Sequence, residues 1–236
     1  MSAIVLIFVC ILLDKSVGEN ESTHSYHLSV LEKNTIICSA TLITEKLAIT
    51  IASCLHEKEI NELFVLAGTR VLGVGGTKIK VDHVRRHDYF KPPRKSFDVT
   101  LIIIYSGVPI SASIKPIKIT SFGEDVELKP GQTANFTSWD PVKKTIKHVE
   151  MHKFGTLDCS WYRKENYTYD MACYGYEDED GPCSNDAGGG LIINGRLVGI
   201  ALSPLLCGKE HNPSLFVNIQ YKVIYLYVEV NIRNMS

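Results

Sequence analysis

Cys38-Ser39-Ala40-Thr41-Leu42-Ile43 and, a few residues on, Ala48-Ile49-Thr50-Ile51-Ala52-Ser53-Cys54 are the stretches on which the fold turns. Each is a short run of small and β-branched apolar residues, and polar Thr44, Glu45 and Lys46 lie between them. Such runs suit strands joined by a turn. Working outward, short runs of the same kind recur at residues 35–37, 63–66, 78–81, 99–104, 191–193, 198–202 and 215–219. Many short strands at this spacing predict an all-β barrel or sandwich. Residues 221–232 alone read as a terminal helix, against a high β-branched content.

Residues 3–13 are apolar and are followed by Ser16-Val17-Gly18, so a signal peptide covering 1–18 is expected, with one domain over 19–236. The apolar run is too short to span a bilayer, so membrane insertion is not expected. With 45% hydrophobic and 22% charged residues, the chain can bury a sizeable core and disorder is excluded. A net charge of −1, with Lys and Arg scattered along the chain, argues against a nucleic-acid or anionic-membrane partner.

Losing Cys10 with the leader leaves Cys38, Cys54, Cys159, Cys173, Cys183 and Cys207. An exported chain with six cysteines suggests three disulfides, and spacing alone leaves 15 pairings open. No Cys-x-x-Cys pair supports zinc. Sequons at Asn20, Asn135, Asn166 and Asn234 agree with export, and Asn135 and Asn166, away from the chain ends, are the glycosylation candidates. The acidic run Glu177-Asp178-Glu179-Asp180 reads as a solvated loop.

Several segments, taken in order, resemble the trypsin/chymotrypsin family of serine proteases. The opening block is similar to its CGGSLI and VLTAAHC segments, and Phe97-Asp98-Val99-Thr100-Leu101-Ile102 to its DIALI strand. Cys183-Ser184-Asn185-Asp186-Ala187-Gly188-Gly189-Gly190 resembles the CxGDSGGP loop. Leu197-Val198-Gly199-Ile200 and Pro213-Ser214-Leu215-Phe216-Val217-Asn218-Ile219 resemble the family's ending. The resemblance implies two packed six-stranded antiparallel β-barrels with a short C-terminal helix, and no clip or other accessory domain. It also implies the pairs Cys38–Cys54, Cys159–Cys173 and Cys183–Cys207. Non-catalytic homologues of this family are common in arthropods, so the resemblance implies an arthropod homologue.

Hydrolysis by a triad needs a hydroxyl nucleophile, an imidazole to carry its proton and a carboxylate to orient the imidazole. The resemblance puts Ala187 at the nucleophile, Ser53 at the histidine and Asp98 at the carboxylate, leaving no group to attack or to shuttle a proton near neutral pH. Ser184 and His56 stand at the wrong backbone positions to substitute. His56 reads as a surface-loop histidine, as do His83, His87, His148 and His152. Asn185 replaces an oxyanion-hole glycine. Leu202-Ser203-Pro204 replaces the strand that pairs with substrate, and Pro204 has no N–H to offer. Gly181 at the pocket base and Ser214 on its wall do not support an Arg or Lys pocket. Residues 19–24 contain no IVGG-like start, so Asp186 is expected either to pair with something other than a freed amino terminus or to be reached by solvent.

The resulting expectation is a secreted, catalytically inactive homologue that binds other secreted proteins, such as active proteases or their inhibitors, as a cofactor, decoy or regulator. Gut or reproductive-tract secretions are the expected setting. The alternatives are a serine-type hydrolase using another nucleophile in the same cleft, and a module sequestering a lipid, sugar or peptide. No cofactor or metal is expected, since residues 68–80 lack the acidic ligands that some trypsins use for calcium.

Overall fold

The structure, a computed structural model, describes residues 24–123, 128, 133–140, 142–163, 167–176, 186–202 and 213–235. The first half carries β1 (His27–Glu32), β2 (Thr35–Thr44), β3 (Leu47–Thr50), β4 (Leu63–Ala67), β5 (Thr77–Lys80), β6 (His83–Arg86) and β7 (Thr100–Ile103). The second half carries β8 (Lys118–Ile119), β9 (Thr133–Trp139), β10 (Ile146–Lys153), α1 (Thr156–Arg163), β11 (Met171–Gly175), β12 (Gly190–Ile193), β13 (Arg196–Ala201), β14 (Ser214–Asn218) and α2 (Lys222–Met235).

Turn chemistry explains two of the hairpins. Thr44 Oγ1 accepts from the N–H groups of Lys46 and Leu47, folding β2 back into β3. Asn194 and Gly195 both take positive φ, 48° and 72°, which is the two-residue turn that matches strand twist, and they join β12 to β13.

The expected pair of closed six-stranded barrels is corrected. Only the second half closes, in the order β12-β9-β10-β11-β14-β13 with β13 pairing back to β12, and β8 adds to β13 in parallel. The first half is an open, curled seven-stranded half-barrel, ordered β5-β4-β1-β2-β3-β7-β6. The cause lies at Val81-Asp82. The Val81 N–H reaches Leu63 O at 3.1 Å while the Asp82 N–H reaches Ile103 O at 3.0 Å, so these neighbours bind opposite ends of the sheet. β5 and β6 therefore end up at its two edges with no ladder between them.

Inward side chains of the half-barrel, among them Leu28, Val30, Leu42, Leu63, Val65 and Ile102, form one core. The barrel packs another around Phe136, Tyr174 and Phe216, whose rings meet edge to face at 5.7 and 5.4 Å. Removing one such fully buried ring costs about 3–5 kcal/mol. The terminal helix is present and runs to Met235. It buries Ile224 and Val228, and its Asn231 and Tyr227 meet Arg85 on β6, so the last element of the chain docks on the first half. Among the described residues no helix is long and apolar enough to cross a membrane.

The Cys38–Cys54 and Cys159–Cys173 disulfides are formed. The second ties α1, whose Leu157 and Trp161 point outward, to β11. Cys183 and Cys207 lie outside the described residues.

Candidate functional site between the two halves

A backbone contact at Ser39 and Ala187 holds the two halves together. The Ser39 N–H donates to Ala187 O at 2.9 Å, and Thr50 Oγ1 donates to Ser39 O at 2.7 Å. Gly188 adopts φ +90°, and a Cβ there would fall 2.1 Å from Thr50 Oγ1 and 2.3 Å from Ser39 O. Only glycine fits, because both the conformation and the space exclude a side chain. Ala187 is buried beside it, and its methyl is all that this bend offers.

On the other side, Ser53 is exposed and sits next to the disulfide-bonded Cys54. Its N–H donates to Asp98 Oδ1 at 2.6 Å. Asp98 is 0% exposed, and its Oδ2 accepts no well-formed hydrogen bond among the described residues. Burial pushes the Asp98 carboxyl above its usual range, opposed by the hydroxyl and amide of Ser53, by Lys95 and by the Ala52 amide. The preceding segment is fixed from the other half. Asp170, also buried, accepts from Ser96 Oγ at 2.9 Å and from the Phe97 N–H at 2.6 Å.

Asp186 is 0% exposed as well, and both oxygens are engaged. Ser138 Oγ donates to Oδ2 at 2.6 Å, and the Trp139 N–H donates to Oδ1 at 2.8 Å. This is a partner set within the folded barrel. Behind it the Trp139 ring meets His27 edge to face at 5.8 Å. His27 is buried with neither ring nitrogen hydrogen-bonded among the described residues, and burial, followed by the neighbouring His24, lowers its pKa to about 3.

Leu202 is buried, with its N–H given to Leu215 O at 2.8 Å. Ser214 is buried at the start of β14, opposite Tyr174. Gly181, Asn185, Ser203, Pro204, Asn166 and the acidic run lie outside the described residues. His87, expected at the surface, is instead buried among Phe97, Tyr89 and Tyr227, since an imidazole is flat enough to stack at 5.0 Å on Phe97. Burial depresses its pKa, against the pull of Asp88. Among the described residues no three His, Cys, Asp or Glu side chains are placed to hold a metal ion.

Sequence reasoning missed Ser138, Trp139 and Asp170. Nothing in their local pattern marks them, because their roles depend on partners more than 40 residues away in the chain.

Comparison with known proteins completes the picture. The family model described as Trypsin matches residues 15–224. Trypsin theta of Drosophila melanogaster is 24% identical over 218 residues, covering 86% of this chain and 81% of the fly protein. Human Kallikrein-7 is 24% identical over 207 residues, covering 84% and 79%. Among solved structures, neuropsin, a serine protease expressed in the limbic system of mouse brain, superimposes with a TM-score of 0.76 at 21% identity, covering 89% of this chain and 96% of its own. With a family match across most of its length and the strands, disulfides and inter-half contacts in place, this chain belongs to the trypsin family.

Proposed function

We propose that this protein is an exported, non-catalytic member of its family that works by binding other secreted proteins, as a cofactor, decoy or regulator of proteolysis. One observation carries the proposal: the bend at Ala187-Gly188, which the motif resemblance puts at the nucleophile position, is held against Ser39 and Thr50, and the Ala187 side chain has no oxygen with which to attack. The Asp98 carboxylate meets the amide and hydroxyl of Ser53, and a serine hydroxyl has no pKa near neutrality with which to relay a proton. The engagement of Asp186 by Ser138 and Trp139 supports a chain that needs no cleavage to set this bend. The leader at 1–18 and the sequons support export.

A fluorophosphonate probe on the purified protein tests the catalytic half of the proposal. No serine is expected to react, and labelling of any one would overturn it. The double variant Ser53→His/Ala187→Ser is expected to leave cleavage of Arg or Lys substrates negligible, because Gly181, Pro204 and Ser214 are unchanged. Strong cleavage would confine the loss to the triad. Affinity purification from the native fluid, followed by mass spectrometry, identifies the partners.

A further inference from the structure

Away from the inter-half site, the segment linking the halves crosses the outer face of the barrel and leaves a cleft of about 440 Å³. Tyr26, Lys115, Ile117, Asn135, His148 and Ile192 line it. His148 is backed by His24, stacked at 4.0 Å. Tyr26, Ile117 and Ile192, buried apart from the edge each shows to the cleft, form an apolar floor, while Lys115, His148 and Asn135 supply polar groups. Apolar surface beside a few fixed polar groups is how proteins hold a sugar ring, whose C–H face is apolar and whose rim is hydroxylated.

Asn135 belongs to the sequon Asn135-Phe136-Thr137 and is exposed in mid-strand, opposite Glu150 on β10 and with the β12 residue Ile192 on its other side. The other two members of the sequon are closed off. Phe136 is in the core, and Thr137 is fully buried with its hydroxyl against Tyr26 OH at 3.1 Å. A glycosyltransferase must engage that threonine, so the sequon can be read only before the strand pairs. Once the strand is folded, the asparagine amide opens into the cleft.

We infer that Asn135 is N-glycosylated on the nascent chain and that the first N-acetylglucosamine of the glycan seats in this cleft, covering Tyr26 and Ile117. The inference rests on the export proposed above. Attachment is an amide glycosylation: the Asn135 Nδ2–C1 bond forms as the bond from C1 to the pyrophosphate oxygen of the lipid-linked donor breaks, the lipid pyrophosphate leaves with the electron pair, and Nδ2 gives up one proton. The folded chain presents Thr137 to no enzyme, so glycosylation after folding is excluded.

The test separates site from export. One chain is secreted from eukaryotic cells behind a proven leader, a second behind its own residues 1–18, both with mannose trimming inhibited. The expected result is a glycopeptide containing Asn135. Native trimming with endoglycosidase H, which leaves one sugar, should preserve Tm. Complete removal with peptide N-glycosidase F should lower it by about 2–4 °C, on the order expected for one lost packing contact in a chain of this size. Asn135→Gln should match the fully deglycosylated protein, which controls for the aspartate that the enzyme creates. Unmodified Asn135 behind the proven leader overturns the inference, and equal Tm values for all forms overturn the seat. Retention of the second chain alone counts against export and leaves Asn135 judged by the first.

Discussion

Asp98 and Asp186 are two fully buried carboxylates flanking one junction, and they are provided for very differently. Asp186 has a hydroxyl on one oxygen and an amide on the other. Asp98 has the Ser53 amide on Oδ1 and, among the described residues, nothing well formed on Oδ2, and burial raises its pKa. A buried charge is tolerable when its oxygens are filled and costly when they are not. Asp98 relies chiefly on the amide and hydroxyl of Ser53, whereas Asp186 is held by Ser138 and Trp139 inside the barrel.

The largest effect should come from the support behind Asp186. His27 has a folded pKa of about 3 against an unfolded value of 6.5. Stability that depends on its neutral form is complete above pH 6.5 and is lost as pH falls toward 3, by up to about 1.4 kcal/mol per pH unit. His27→Phe should flatten that decline, recovering on the order of 3 kcal/mol at pH 4 in denaturant titrations. An unchanged acid limb would show that His27 does not control it. Next comes Ser138→Ala, which strips one oxygen of Asp186. A loss of about 2 kcal/mol, or roughly 4–8 °C in Tm, is expected at pH 7. Were the loss negligible, the two carboxylates would be equally well provided for, and the contrast would collapse.

Asp98→Asn should act in the opposite sense. The amide keeps an oxygen for the Ser53 N–H and removes the buried charge, so stability should rise by about 1 kcal/mol at pH 7. Because the folded pKa of Asp98 lies above the unfolded value of 3.8, the penalty is present above the folded pKa and disappears as pH falls toward 3.8, and so should the gain. The smallest effect belongs to Ser53→His. The introduced imidazole beside Asp98 should gain a raised pKa and add less than about 1 kcal/mol, present below pH 6.5 and lost as pH rises through the raised pKa. An NMR titration of that ring reads the shift directly, and an unshifted ring would mean that Asp98 is out of its reach.

The buried strands and the cysteine pair beside them were legible because continuous apolar runs and family motifs coincide there. Thus β2, β3 and β7 appear where residues 40–43, 48–51 and 99–104 suggested. β9 and β10 were passed over, since Asn135, Lys147 and Glu150 dilute their alternation even though Phe136, Val149 and Met151 still point inward. The short helix α1 left no apolar stripe to read, being held by a disulfide while Leu157 and Trp161 face out. The break between β5 and β6 is a matter of where two adjacent N–H groups find acceptors, which no residue pattern announces. At the site, Ser53, Asp98 and Ala187 were found through motif resemblance, while the partners of Asp186 depended on long-range folding.

The open edge at β6 has a consequence for the order in which the chain is made. Its Arg85 is met by Tyr227 and Asn231 of α2, so the first sheet waits for the last helix. During synthesis the half-barrel emerges with an uncovered strand and keeps it until α2 is out. An edge left bare that long invites pairing with a neighbouring chain. Loss of the last dozen residues would therefore show first as aggregation of nascent protein during export, with the damage starting in the half farthest away in sequence.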